Sequence, residues 1–167
     1  MAELYLLCGK PGCGKTTISN YMQQKYGMIG FSADDFMLKL YGEVQDRTEF
    51  DNKLALCKEV IYSITQKLID HKIKVVLDFG FWTKKERQEV KERFNHYDVK
   101  FIYIAKSDDE IFNCIEKRNA NLKENEYFMD RATFDFLASK FEEPIDEEVI
   151  KIQSTDESEI DAVLSSI

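Results

Sequence analysis

The densest chemistry in the sequence is the run Gly9-Lys10-Pro11-Gly12-Cys13-Gly14-Lys15-Thr16, followed directly by Thr17. It satisfies G-x-x-x-x-G-K-[ST] without a mismatch. Glycines at this spacing let the backbone curl so that successive N–H groups point inward at phosphate oxygens. The start of the helix that follows adds the positive end of its dipole. Lys15 then reaches the β- and γ-phosphates of a nucleoside triphosphate, and the Thr16 hydroxyl is a Mg²⁺ ligand. The plain alternative is a glycine-rich strand-to-helix turn without a ligand. Cys13 occupies a variable position of the pattern.

Carboxylates come next. Asp34 and Asp35 directly follow a predicted strand, at the edge where an acceptor hydroxyl would lie. A carboxylate there accepts the hydroxyl proton and orients the oxygen for in-line attack on the γ-phosphorus. The competing role is structural, with Ser32 or Asp34 capping the next helix. Asp78 ends the apolar run Val75-Val76-Leu77, where a carboxylate joins the Mg²⁺ shell or holds the acceptor. Only five arginines are available to stabilise charge on a transferring phosphoryl group: Arg47, Arg87, Arg93, Arg118 and Arg131. Arg118 is the first candidate and Arg131 the second, with surface solvation the expectation for the rest. Phe79, Phe81 and Trp82 flank Gly80; they either line an apolar acceptor pocket or, as is commoner, pack the next helix. The acidic stretch Glu142–Glu148 reads as a solvated loop, and His71 and His96 as exposed residues near helix ends.

These residues need a scaffold that gathers them. Short apolar runs suited to buried strands (Leu4–Cys8, Met28–Ser32, Ile73–Phe79, Val99–Ala105 and Val149–Gln153) alternate with segments of helical period. Leu54, Cys57, Ile61, Ile64 and Leu68 step by three and four, a stripe that faces a core. Thr83–Glu86 and Ser107–Glu110 read as capping boxes, each opening a helix soon after a strand. Ile160, Val163, Leu164 and Ile167 share one face of a final helix. Such alternation predicts an α/β fold, a parallel sheet covered by helices on both faces, with ligands at the carboxyl ends of the strands.

Bulk properties narrow the classes. A net charge of −8 over 167 residues argues against general affinity for nucleic acid or anionic membrane. The four cysteines (Cys8, Cys13, Cys57, Cys114) are scattered, with no metal-like spacing, and read as reduced and mostly buried. No stretch approaches the length of a membrane span and no leader is evident, so a cytoplasmic location is expected. A GTPase would carry Asp-x-x-Gly after the third strand, yet the residue three beyond Asp78 is Phe81; Asn-Lys-x-Asp is also missing. The length suits a kinase core with a lid over about residues 118–132, the whole chain forming one domain.

Gly9–Thr17, Ser32-Ala33-Asp34-Asp35, Val75–Trp82 with Arg87, Glu116-Lys117-Arg118-Asn119, and Pro144 with its acidic followers together resemble small P-loop kinases. These are the group of polynucleotide kinase, chloramphenicol phosphotransferase and zeta-type toxins. The resemblance implies a five-stranded parallel sheet in which the P-loop strand neighbours the Asp78 strand, with a small helical lid. It also implies Asp34 as general base and Arg118 on the lid over the phosphates. Two departures matter: polynucleotide kinases carry Asp-Asp-x-Arg where this chain has Met37, and Asp-Thr-Asn where it has Asp78-Phe79-Gly80. The expected activity is therefore ATP-dependent phosphoryl transfer to a hydroxyl of a small molecule. A kinase of nucleic-acid 5′-hydroxyl ends and a nucleotide-binding regulator with little turnover are the rivals.

Overall fold

Strands buried on both faces need apolar side chains at every position, and the first strand shows this most plainly. In the computed structural model, which describes residues 3–122 and 128–165, Leu4, Leu6 and Cys8 turn to one face of the sheet and Tyr5 and Leu7 to the other. All five are at most 2% exposed. That continuous apolar run is the signature of a parallel sheet sandwiched between helices.

The elements are β1 (Glu3–Cys8), α1 (Lys15–Tyr26), β2 (Ile29–Ser32), α2 (Ala33–Tyr41), α3 (Arg47–Asp70), β3 (Val75–Gly80), α4 (Lys84–Arg93), β4 (Asp98–Ile104), α5 (Asp108–Asn119), α6 (Arg131–Ala138), β5 (Ile150–Ile152) and α7 (Glu157–Ser165). The sheet is all parallel in the order β2-β3-β1-β4-β5. The P-loop strand β1 pairs directly with β3, which carries Asp78, as the resemblance implies. One core layer joins α1, α5, α6 and α7 to the sheet through Ile18, Met22, Ile111, Ile115, Phe134 and Ile160. The other joins α2, α3 and α4 through Ala33, Ile61, Ile69, Val90 and Phe94.

The expected strands are all present, with no end moved by more than two residues. The α3 stripe differs in phase. Cys57 and Ile61 are buried as expected, but the helix continues its inner face with Thr65 and Ile69, leaving Ile64 and Leu68 half-buried. Ser107 and Glu110 form a complete capping box. At α4 the reciprocal half is shifted: Thr83 accepts from the Glu86 N–H, while Glu86 Oε2 accepts from the Trp82 N–H, one residue earlier. Of the final helical stripe, Ile160 is buried and Val163 and Leu164 pack beside it. Ile167 lies outside the described residues.

Two expectations are corrected. Arg87 is not a solvated surface arginine; it is 1% exposed. Its Nε and Nη2 grip the two carboxylate oxygens of Glu147 at 2.9 and 2.7 Å, and Nη1 donates to the Phe81 carbonyl at 2.9 Å. For the same reason Glu142–Glu148 is not simply a solvated loop. Glu142 takes the Lys84 N–H, its own N–H donates to the Trp82 carbonyl, and Glu143 accepts from the Tyr103 hydroxyl. A planar guanidinium with a bidentate carboxylate is one of the few ways to bury a charge at tolerable cost. Here it anchors the β3–α4 turn, where Phe81 has φ 45°, a conformation unfavourable for any residue with a Cβ.

Candidate active site

The loop between β1 and α1 follows from its glycines. Gly12 and Gly14 have φ of 79° and 107°, in the left-handed range that side chains disfavour. Space forbids side chains there as well. A Cβ on Gly12 would lie 2.7 Å from Ile115 of α5, and one on Gly14 would lie 2.4 Å from Thr155 at the β5–α7 turn. The cradle is thus closed against its neighbours, and Gly14 serves as the N-cap of α1 without a side chain of its own. The helix start is left with outward-facing N–H groups, an anion site by construction.

The side chains around the cradle are arranged by charge. Lys15 Nζ donates to the carbonyls of Gly9 and Lys10 at 3.1 and 2.9 Å, folding the ammonium back over the loop. Lys10 reaches out to Asp108 at the start of α5, at 2.5 Å. Thr16 Oγ1 donates to Asp78 Oδ2 at 2.6 Å. Asp78 is 7% exposed. Burial pushes its carboxyl above the ordinary value, opposed by the Lys15 charge and the Thr16 hydrogen bond.

Asp34 lies in the first turn of α2, just beyond the next strand over, β2. Ser32 pairs in register with Asp78, so β2 delivers Asp34 to the same end of the sheet. The cap of α2 is Ser32, whose hydroxyl accepts from the Asp35 N–H at 3.3 Å; Asp34 is thereby spared that task. It keeps contact with solvent, yet protein surrounds it closely enough that desolvation raises its carboxyl pKa. The Asp78 charge acts in the same direction and Lys15 against it. The carboxylate is open to water and feels the charges of Asp78 and Lys15.

The Thr16–Asp78 pair fits a Mg²⁺ shell. Mg²⁺ takes hard oxygens, keeps several waters and draws one or two ligands from protein, the rest coming from phosphates. A hydroxyl and a carboxylate in contact at the mouth of an anion cradle match that demand. No cluster of three or more His, Cys, Asp or Glu able to hold a metal occurs among the described residues.

The arginines divide. Arg118 is half-buried near the end of α5, one helical turn beyond Ile115, the residue that abuts Gly12. Arg131 is committed at the start of α6 to Asp109 and Asp135 at 3.1 and 2.9 Å. The span of about 118–132 expected to form a lid takes in the end of α5 and the start of α6, with residues 123–127 outside the described residues. Phe79 and Phe81 stack on each other, Phe79 contacts Tyr62 of α3, and Phe81 is fully buried. They pack helices, as aromatic residues there commonly do.

Sequence reasoning passed over Lys106, which follows β4. It is half-buried, and a Cβ on Gly14 would lie 3.9 Å from its Nζ. No local motif marks it; only the pairing of β4 with β1 brings it to the loop.

The AAA domain family matches residues 4–144, a span holding the P-loop, Asp34, Asp78, Lys106 and Arg118. The chain belongs to the AAA domain family. No curated protein matches it. Among solved structures, Kti12 of Chaetomium thermophilum, determined with ADP-AlF3, superposes on this family member with TM-score 0.72 at 16% identity, covering 98% of this chain and 96% of the other. A gluconokinase from Sinorhizobium meliloti 1021 superposes with TM-score 0.69 at 14% identity, over 98% and 90%. A chain of the Pnkp1/Rnl/Hen1 RNA repair complex gives TM-score 0.65 at 17% identity, over 83% of this chain and 43% of its own length. At such identities the likeness is one of fold. One fold appears both in a gluconokinase and in an RNA repair complex, so the acceptor must be argued from the site.

Proposed function

We propose that this AAA domain protein is a P-loop kinase that moves the γ-phosphate of ATP–Mg²⁺ to a hydroxyl of a small molecule. The observation that carries the reading is the position of Asp34. It is free of the capping role, exposed to solvent, and within the electrostatic reach of Asp78 and Lys15. The loop backbone and Lys15 bind the β- and γ-phosphates; to do so Lys15 turns from the Gly9 and Lys10 carbonyls to phosphate oxygens. Asp34 accepts the acceptor's hydroxyl proton and holds the oxygen in line. Arg118 offsets charge on the transferring group from the α5 side. Thr16 and Asp78 would hold Mg²⁺, which would supply charge neutralisation for the phosphates. We read residues 1–167 as one such domain, with the lid over about 118–132.

Two features favour a small acceptor over a nucleic-acid end. Met37, in the place of the polynucleotide kinase arginine, is 3% exposed and packed inward. The net charge of −8 repels a polyanion. The test is phosphate transfer from γ-labelled ATP to sugars, polyols, amino alcohols and 5′-hydroxyl oligonucleotides. Label on a small alcohol is expected, with no more than trace on oligonucleotides. Efficient oligonucleotide labelling that weakens steeply with salt would reverse the choice of acceptor.

A further inference from the structure

Among the described residues three lysines surround the phosphate cradle, and two are engaged. Lys15 is bound to loop carbonyls and Lys10 to Asp108. Lys106 is not. It stands half-buried on the β4–α5 turn, and no hydrogen bond or ion pair engages its ammonium among the described residues. The carboxylates whose charge it acts on, Glu110 and Glu159, are engaged by other donors. Glu110 accepts from the Ser107 N–H and hydroxyl at 2.8 and 2.7 Å. Glu159 accepts from the Gln153 and Ser154 N–H groups at 2.9 and 2.8 Å. This uncommitted, half-buried cation lies beside Gly14.

Topology gives the site two sides. The sheet order β2-β3-β1-β4-β5 puts Asp34 and Asp78 at the ends of β2 and β3, on one side of the P-loop strand. Lys106 and Thr155 follow β4 and β5, on the other side. If the γ-phosphate faces the carboxylates, the rest of the nucleotide leaves the cradle across Gly14 toward β4 and β5. The first charged group on that path is the α-phosphate.

We propose that Lys106 is a third cation of the nucleotide site and contacts the α-phosphate of an ATP whose β- and γ-phosphates occupy the loop. This rests on the reading of the loop as a nucleotide site given above. Glu159 contributes as a positioning residue, since its hold on the Gln153 and Ser154 N–H groups sets the turn that places Thr155 against Gly14.

The test is calorimetry with wild type, Lys106→Gln and Lys106→Arg, using ATP–Mg²⁺ and inorganic tripolyphosphate–Mg²⁺ as probes. A charged hydrogen bond to phosphate is worth enough that Lys106→Gln should weaken both probes by about 10- to 100-fold. Lys106→Arg keeps the charge and should recover most of the loss. Thermal melts without ligand should match among the three proteins, because no internal partner is lost. Equal affinity of wild type and Lys106→Gln for ATP would overturn the assignment while leaving the kinase reading intact. So would a loss for ATP with none for tripolyphosphate, which would place the cation against the nucleoside. Failure of wild type to bind ATP at all would instead remove the underlying reading, and this assignment with it.

Discussion

Thr16 Oγ1 donates a 2.6 Å hydrogen bond to Asp78 Oδ2, tying the end of the phosphate loop to the carboxyl end of β3. Both oxygens belong to the set that would hold Mg²⁺, so their loss should show as lost metal dependence and not as lost fold. In wild type, ADP affinity is expected to rise when Mg²⁺ is added. In Asp78→Asn that increment should largely vanish, while affinity in EDTA stays near wild type. An undiminished Mg²⁺ effect in the variant would take Asp78 out of the metal shell.

Lys15 is the main side-chain charge available to the β/γ-phosphates. Lys15→Ala should cost at least tenfold in ATP affinity, the scale of one charged hydrogen bond. The melting temperature without nucleotide should change little, since the contacts given up, to the Gly9 and Lys10 carbonyls and the Cys13 sulfur, lie within the loop itself. Calorimetry showing equal ATP binding by the two proteins would contradict the site as a whole.

How much of this was legible in the sequence follows from the range of each interaction. The P-loop is local, so its residues announce themselves. Asp78 was legible because it closes an apolar run, and β1 beside β3 followed from the resemblance. Arg87 was not, since its partner Glu147 is 60 residues away and nothing in either segment signals the pairing. The inner face of α3 was misphased beyond Ile61 because buried Thr65 is polar and hides the stripe it belongs to. Lys106 became visible only when the sheet set β4 next to β1.

The Arg87–Glu147 pair should matter for stability far more than any exposed ion pair. Arg87→Ala strands a partly buried carboxylate and frees the Phe81 carbonyl in a turn of unfavourable φ. Breaking a buried pair in this way costs about 3–5 kcal/mol. Arg93→Ala, which removes an exposed pair to Glu59, should cost no more than about 1 kcal/mol. Urea titrations of the two variants would separate them, and equal midpoints would show that the buried pair carries no special weight.

Asp34 should trade stability for activity. Its carboxyl is raised above the ordinary value of 3.8 by the desolvation that the surrounding protein imposes first and by the Asp78 charge second. The folded protein therefore holds more protons than the unfolded chain between 3.8 and the raised value. By linkage, stability falls as pH rises through that window and stays lower at neutral pH. Asp34→Asn removes the charge that the site disfavours, so the ligand-free variant should melt at or above the wild-type temperature at pH 7 and lose the pH dependence due to this group. Activity should move the other way. A general base that works only in the transition state contributes about 10²–10⁴-fold, lost from kcat and kcat/KM together with ATP binding preserved. The acidic limb of the wild-type kcat/KM profile should lie above the usual aspartate range, because the base must be ionised to accept a proton. Arg118→Ala should fail differently, slowing transfer and weakening nucleotide binding where the guanidinium touches ground-state phosphates. A stable Asp34→Asn protein with wild-type turnover would show that Asp34 is not the base, and Asp78 would then be the carboxylate to examine.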